Sequence, residues 1–264
     1  MSKSSDLLVY FYAKKHWPSH LPKNLVPTSQ EINEATNLAL KDLEKDATKT
    51  GMLIRLAGQS GSGKTTQLLP AAESYFKAKN LKPILIATRN LVKYHPHYQE
   101  ILKNYGESEL RKRTDDFATV LMYRVMRVLT QKNYDLIIDV SFVSPKVEKL
   151  LMLMTKNYQE YLFLIMAVSR KISEQLLQNR TWRHDEKLER EFFISTERAL
   201  SFYGKSYPNI RTVIWGFNQL KPIYDGKIKN ALPSWKKEIT TIATINEKFT
   251  IEEKISAKIA YLKK

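Results

Sequence analysis

The chain of 264 residues contains no cysteine. A disulfide framework, a thiolate metal site and a cysteine nucleophile are therefore excluded, and a reducing cytoplasm is the natural compartment. The apolar stretch at residues 7–12 is too short for the hydrophobic region of a secretory signal, and no segment reads as a membrane span. We therefore expect a cytoplasmic protein that does not cross a membrane.

Acidic residues are fewer than basic ones, with 27 Asp and Glu against 43 Lys and Arg, and the formal net charge is +16. This excess indicates anionic partners, and nucleic acid, a membrane surface and phosphorylated metabolites are all candidates. A solvated lysine-rich surface explains the same number equally well. The net charge alone does not choose among these partners.

One segment matches the phosphate-binding motif G-x-x-x-x-G-K-[ST]. Glycines let the backbone curl so that N–H groups point at phosphate oxygens, a lysine adds a cation, and a hydroxyl can ligate Mg²⁺. A chance match in a chain of this size is a roughly one-in-a-hundred event. The pattern therefore predicts a site for ATP or GTP with Mg²⁺, formed by Gly58, Gln59, Ser60, Gly61, Ser62, Gly63, Lys64, Thr65 and Thr66.

The segments around this loop alternate between apolar strands and amphipathic helices. An apolar run, Met52 to Ala57, precedes the loop, and a helical pattern, Thr65 to Lys79, follows it. Further strands are predicted at 83–87, 135–140, 161–168 and 211–215, with helices at 115–131, 146–156, 169–179 and 185–203. Such alternation predicts the α/β class, as a P-loop NTPase-like three-layer fold with a parallel sheet flanked by helices.

Beyond the loop, several short motifs follow in a characteristic order. His95-Pro96-His97-Tyr98 opens a helix, Asp116-Phe117-Ala118 comes later, and the strand Tyr134 to Asp139 is followed by Ile165 to Val168 and by Arg180. In order and spacing the series resembles the zeta toxin family, kinases of bacterial toxin–antitoxin modules that phosphorylate UDP-N-acetylglucosamine. The resemblance covers roughly residues 51–225.

The sequence predicts three parts: an N-terminal arm and helix (1–50), a P-loop kinase-like domain (51–217), and a basic C-terminal tail packing on the same domain (218–264). The first helix is predicted from the sequence itself. Thr28-Ser29-Gln30-Glu31 forms a predicted capping box, and the helix would run to near Gly51. Its apolar face is predicted to carry Ile32, Ala35, Leu38, Ala39 and Leu43.

The resemblance also implies roles for individual residues. Asp139 stands where the family has an acid at the end of the third strand, and Ser141 where it has a substrate-contacting threonine. Arg180 matches the first of two arginines that grip the triphosphate. The second lies in a segment shortened here, and Arg183 is the best match for it. His95 is a further candidate for contacting the substrate.

Physical chemistry gives each of these residues two interpretations. Asp139, at the end of an apolar strand, suits a metal-associated carboxylate, or it is an ordinary acid capping the next turn. Arg180 supplies a planar cation to a transferred phosphoryl group, or it is a solvated residue at a helix end. His95 and His97 are two residues apart beside a proline, which favours a structural turn over a metal site.

The sequence departs from the family at the acceptor site. The family's catalytic Asp lies six residues before the His-Pro pair, where this chain has Arg89, and a further Asp is replaced by Ala87. By a less direct alignment through the preceding helix, Tyr123 occupies the position of a substrate-binding Glu of the family. An arginine stays protonated in proteins, so Arg89 cannot accept a hydroxyl proton but can bind a phosphate or carboxylate.

Three functions remain open at this point. The first is a kinase that transfers the γ-phosphoryl group to a small anionic acceptor such as a nucleotide sugar. Loss of the catalytic Asp would slow such a kinase without necessarily abolishing its activity, because loose transition states depend mainly on positioning and electrostatics. The second is a catalytically inactive nucleotide-binding protein that regulates a partner. The third is a nucleic-acid kinase or ATPase, supported by the basic charge. A small helical antitoxin is implied as a partner by the resemblance.

Overall fold

The computed structural model describes residues 21–140, 145–178, 200–207, 209–240 and 248–263. No helix within these ranges is long and apolar enough to cross a membrane. The chain divides into two compact units. The first contains the described residues up to Ala47 and the segment Ile86–Lys132, and the second contains Thr48–Leu85 and the described residues from Asn133 onward.

Six strands form one sheet in the order β2-β3-β1-β4-β5-β6. Strand β1 pairs in parallel with β3 and β4, and β4 pairs in parallel with β5. Strand β6 is antiparallel to β5. The strands are β1 (Met52–Ala57), β2 (Ile84–Ile86), β3 (Leu136–Asp139), β4 (Glu160–Met166), β5 (Arg211–Trp215) and β6 (Tyr224–Lys227).

Helices of the second unit lie on both faces of the sheet. The helices in chain order are α1 (Ser29–Glu44), α2 (Leu69–Ala78), α3 (Thr88–Leu91), α4 (Tyr98–Gln131), α5 (Pro145–Thr155), α6 (Arg170–Gln178), α7 (described over 200–206), α8 (Ala231–Thr240) and α9 (Ile251–Leu262). Short 3₁₀ turns occupy Lys23–Leu25, Val92–Tyr94 and Ile228–Asn230.

Alternate side chains of β4 and β5 enter two separate cores, as the two-residue period of a strand requires. Ile54 and Leu56 of β1 pack in one core with Phe76 of α2. Phe163 and its neighbours pack in the other with Tyr203 of α7. The α/β prediction of helices flanking a mostly parallel sheet is confirmed, with β6 as an antiparallel edge that the sequence did not predict.

Helix α1, in the first unit, begins as the sequence predicts. The Thr28 hydroxyl accepts a hydrogen bond from the Glu31 amide, and the Glu31 carboxylate accepts one from the Thr28 amide. The helix ends at Glu44, before the predicted end near Gly51. Leu38 was assigned to the apolar face wrongly, because it is 53% exposed. At 3.6 residues per turn it lies about 100° from the centre of the buried stripe.

Helix α4, also in the first unit, is longer than predicted. It spans Tyr98–Gln131 and is interrupted at Gly106, whose φ of 76° and ψ of 170° are not helical. The sequence predicted separate helices before Gly106 and after Asp115. Residues 107–114 continue the helix because Glu, Arg and Lys are good helix formers, although they are too polar to show an apolar stripe.

The last helix of the second unit, α9, buries a lysine. Lys258 is fully buried, and this burial, followed by the charge of Lys254, lowers the pKa of Lys258 from 10.5 to about 8. An unfolded lysine keeps its proton to higher pH than this folded one. The unfolded state therefore binds more protons between about pH 8 and pH 10, and stability should rise with pH in that window.

We expect the free energy of unfolding of the wild-type protein to rise relative to that of a Lys258→Met variant by about 1 kcal/mol for each pH unit from pH 8 to 10. One pKa unit corresponds to about 1.4 kcal/mol. Thermal denaturation of both proteins at pH 7.5, 8.5 and 9.5 measures this difference. Titration of other lysines and tyrosines cancels in the comparison. A difference in Tm that stays constant over the three pH values would contradict the buried charge.

Candidate nucleotide-binding site

The loop between β1 and α2 adopts a conformation that depends on glycine. Gly58 has a φ of +135° and Gly61 a φ of +71°. A Cβ atom on Gly58 would lie 2.6 Å from the carbonyl oxygen of Met166, and one on Gly61 would lie 2.6 Å from that of Ser173. Any larger residue would collide with the backbone at both positions. The loop is therefore pressed against the carboxyl end of β4 and against α6.

Gln59 anchors the base of the loop. Its side-chain Nε2 donates to the carbonyl oxygen of Val168 at 2.6 Å, and its own carbonyl accepts from the Ser62 amide at 3.2 Å. Within the part of the chain that the structure describes, Gln59 Oε1 and Ser62 Oγ are buried without a hydrogen-bond partner. Buried polar atoms normally have partners, so these two suit a loop that receives a polar ligand.

Lys64 lies where the loop becomes a helix. It begins a π-helical turn, Lys64–Leu68, of a kind often found at functional sites, and this turn leads into α2. The Lys64 Nζ donates to the carbonyl oxygens of Gly58 at 2.8 Å and of Gln59 at 3.0 Å. The ammonium group is thus held against the glycine loop, at the amino end of a helix, where anions bind favourably.

Thr65 and Asp139, the two predicted metal ligands, come together. The Thr65 hydroxyl donates to the Asp139 carboxylate at 3.2 Å. Asp139 ends β3 and pairs with Leu56 of β1, which places it at the same edge of the sheet as the loop. Hydroxyl and carboxylate oxygens are the ligands that Mg²⁺ takes in proteins, so this pair fits the metal.

Two other residues of the loop are more accessible. Ser60 is half-buried and Thr66 is exposed. The Thr66 hydroxyl donates to the Gly63 carbonyl at 3.2 Å. The whole predicted loop, from Gly58 to Thr66, is therefore one continuous structure in the second unit.

The predicted acceptor-site residues Arg89 and His95 belong to the first unit. Arg89 is half-buried on α3. His95 is buried, its Nδ1 accepts from the His97 amide at 3.1 Å, and its ring meets Phe117 edge-on at 4.6 Å. Burial, followed by the charge of His97, lowers the pKa of His95 to about 4. His95 is therefore neutral at pH 7 and stabilises the turn.

Three of the predicted site residues, Ser141, Arg180 and Arg183, lie outside the described residues. Among the residues that are described, no group of three or more His, Asp or Glu side chains is arranged to hold a metal ion. Among the described residues, Thr65 and Asp139 are a pair whose oxygens suit a magnesium ion.

The sequence analysis missed one residue that contacts the loop. The ring of Phe217 lies 3.3 Å from where a Cβ of Gly63 would be, and its carbonyl accepts from Gln67 Nε2 at 3.4 Å. The Lys254 Nζ lies 4.5 Å from the centre of the same ring. One signal was present: Lys254, Lys258 and Leu262 are spaced by four, which places two lysines in line with a buried leucine.

A mostly parallel sheet with a glycine loop after its central strand defines a P-loop kinase-like α/β protein. Comparison with known families gives a narrower class. The model of the zeta toxin family matches residues 36–225. The chain belongs to the zeta toxin family.

Individual relatives agree with this assignment. Toxin PezT of Streptococcus pneumoniae serotype 4 (strain ATCC BAA-334 / TIGR4) is 30% identical over 142 residues, which are 52% of this chain and 54% of PezT. The chain thus matches about half the length of that relative. A solved structure from the PezAT chromosomal toxin–antitoxin system of Streptococcus pneumoniae has the same fold, with a TM-score of 0.65, 20% identity, and coverage of 89% of this chain and 97% of that one.

Proposed function

We propose that the protein binds ATP or GTP with Mg²⁺ at residues 58–66 and transfers the γ-phosphoryl group to a small anionic acceptor such as a nucleotide sugar. The observation that carries the proposal is the loop itself. It holds Lys64 against the glycines and brings Thr65 within 3.2 Å of Asp139. Membership of the zeta toxin family supports the same chemistry.

Each residue of the loop has a part in this reaction. Backbone N–H groups of the loop and the Lys64 ammonium bind the phosphates, while Thr65 and Asp139 orient the metal. Mg²⁺, when bound, offsets the charge on the transferred group. By resemblance, Arg180 and Arg183 grip the triphosphate, and Arg89, His95 and Ser141 contact the acceptor. The acceptor hydroxyl oxygen bonds to the γ-phosphorus as the bond to the bridging oxygen breaks, the nucleoside diphosphate leaves, and the hydroxyl proton passes to an oxygen of the transferred group or to water.

Arg89 favours a second candidate, a catalytically inactive protein whose bound nucleotide regulates a partner. The residue stands where the family has its catalytic Asp, and a guanidinium cannot take the proton that the acceptor hydroxyl releases. In an active kinase, Arg89 would instead select an acceptor more acidic than the family's usual one. A small helical antitoxin is the partner that either function suggests, by analogy with the PezAT system.

Transfer of label tests the two candidates. Purified protein is incubated with Mg²⁺ and γ-labelled ATP against UDP-N-acetylglucosamine, a panel of more acidic nucleotide sugars, and an oligonucleotide. We expect transfer to a nucleotide sugar that depends on Lys64, with the Lys64→Ala variant as the blank. Saturable binding of ATP without transfer or hydrolysis above this blank would support the inactive protein instead, and label on the oligonucleotide would support a nucleic-acid kinase.

Arg89→Asp gives the same experiment a second arm. If the missing carboxylate is the only defect, this variant should phosphorylate UDP-N-acetylglucosamine faster than wild type, by about 10²-fold or more, because general bases contribute about that much. Arg89→Ala, which removes the cation without adding a base, is the matched control. Equal rates for the two variants would mean that the acceptor pocket itself differs from that of the family.

A further inference from the structure

The back of the phosphate loop rests on an aromatic ring. Phe217 is buried, and its ring lies 3.3 Å from the position of a Cβ on Gly63, the residue before Lys64. Phe217 is also hydrogen-bonded to the π-helical turn that follows the loop, because its carbonyl accepts from Gln67 Nε2 at 3.4 Å. Gln67 in turn donates its amide to the Gly63 carbonyl at 2.9 Å. Displacement of Phe217 would therefore displace Gly63.

Two lysines of α9 hold this ring and its loop. The Lys254 Nζ lies 4.5 Å from the centre of the Phe217 ring, a cation–π contact. The Lys258 Nζ donates to the Gln219 carbonyl at 3.3 Å and lies 5.7 Å from the centre of the Trp215 ring. Both lysines are almost completely buried, with exposures of 2% and 0%.

The helix that carries these lysines is anchored independently of them. The Tyr261 hydroxyl donates to the carboxylate of Asp225 on β6 at 3.0 Å. The same carboxylate accepts a hydrogen bond from the guanidinium of Arg211 on β5 at 2.9 Å. The Tyr261 ring meets Trp215 edge-on. Helix α9 would therefore stay in place without either lysine.

Stability does not explain these buried cations. Burying an ammonium group is costly, and two like charges four residues apart on a helix repel each other. Apolar residues of similar size at both positions would pack in the same core, next to Leu262, at no such cost. Within the described residues of the second unit, what the two charges do is hold Phe217 and Gln219 and add positive potential behind the loop.

We propose that Phe217, Lys254 and Lys258, which we call the C-terminal clamp, are positioning residues that fix Gly63 and raise the affinity of the phosphate loop for a nucleoside triphosphate. This inference rests on the proposed nucleotide site. The clamp acts in two ways: the ring fixes the backbone from which Lys64 and Thr65 project, and the two cations attract the polyphosphate through a medium of low dielectric constant.

Lys258→Met and Lys254→Met test the clamp, with Lys263→Met as the matched control because Lys263 is an exposed lysine at the end of the same helix. Dissociation constants for ATP and ADP are measured by calorimetric titration, and Tm by thermal denaturation. We expect each clamp variant to bind about tenfold more weakly while its Tm without nucleotide is equal to or above that of wild type. Lys263→Met should match wild type in both.

The pH profile of affinity gives a second readout that a merely structural lysine would not move. Between pH 7.5 and 9.5 the triphosphate keeps its charge, whereas Lys258 loses its proton. The charge of Lys254 acts on Lys258, and the neighbouring Trp215 and Gln219 do not titrate. Helix α2 also packs on α9, and its Glu73 is exposed. Wild-type affinity should fall over this range more steeply than that of Lys258→Met.

The outcomes separate the clamp from the proposed function. If wild-type protein binds no nucleotide at all, the proposed function fails and the clamp fails with it. If wild type binds and both lysine variants bind as tightly, with parallel pH profiles, the clamp is overturned and the nucleotide site stands. Should Lys258→Met fail to fold, the test uses the affinity of Lys254→Met and the pH profile of wild-type affinity. A flat pH profile together with an unchanged affinity in Lys254→Met overturns the clamp.

Discussion

Lys64→Ala should abolish the thermal stabilisation that ATP and Mg²⁺ give this protein. At a ligand concentration of 100 times the Kd, binding stabilises the folded state by about 2.7 kcal/mol. For a chain of this size that raises Tm by roughly 5–10 °C. Lys64 Nζ donates to the Gly58 and Gln59 carbonyls, which holds its charge against the glycine backbone, so its removal should eliminate most of the shift.

Lys77→Ala is the control for this variant. Lys77 is an exposed lysine in the last turn of α2, the helix that Lys64 leads into, and its removal changes the net charge equally. It should retain the full rise in Tm. A rise of the same size in Lys64→Ala would show that the phosphate loop is not the nucleotide site. Because Lys64 is half-buried and donates to carbonyl oxygens of its own loop, Tm without nucleotide should change little.

Asp139→Asn should remove the dependence of nucleotide binding and transfer on Mg²⁺. Its carboxylate accepts from the Thr65 hydroxyl at 3.2 Å, and an amide of the same shape keeps that bond while losing the charge. Loss of an acid that supports a metal site typically costs 10–100-fold in metal affinity or activity. We expect a loss of this size with Mg²⁺ present, and little change in the affinity for ATP measured in EDTA.

Asp135, four residues earlier, provides the contrasting variant. Its carboxylate accepts from the Thr50 amide at 3.1 Å, the Thr50 hydroxyl at 2.7 Å and the Met52 amide at 2.9 Å. These are structural bonds, so Asp135→Asn should lower Tm and leave the Mg²⁺ dependence intact. An unchanged Mg²⁺ dependence in Asp139→Asn would assign Asp139 to the same structural class, as an acid that only caps the loop.

The glycine loop, Gly58 to Thr66, is the part of the candidate site whose conformation follows most directly from the sequence. Its residues are consecutive in the chain, and the motif specifies backbone conformations that only glycine adopts easily. Asp139 was placed correctly at the end of β3 because an apolar run of strand length ends there. That Thr65 and Asp139 meet required the pairing of β1 with β3, which joins residues more than seventy positions apart.

Other features could not be read because nothing local marks them. Strand β6 is a polar edge strand without alternating apolar residues, and it forms only because β5 offers it a partner. Lys254 and Lys258 look like solvated lysines in a basic tail, and their four-residue spacing with Leu262 is a weak signal that does not by itself predict burial. The packing of α9 over Phe217 and Trp215 shows that both are buried.

The sequence by itself determined the class of the fold, the position of the glycine loop and the family to which the chain belongs, because these depend on local patterns of glycine, charge and apolar period. The tertiary structure alone decided which distant residues meet the loop. Asp139 arrives from β3 and Phe217 from the segment after β5, and α9 brings the two buried lysines behind it. Contacts of this kind depend on strand order and helix packing, which no short stretch of sequence encodes.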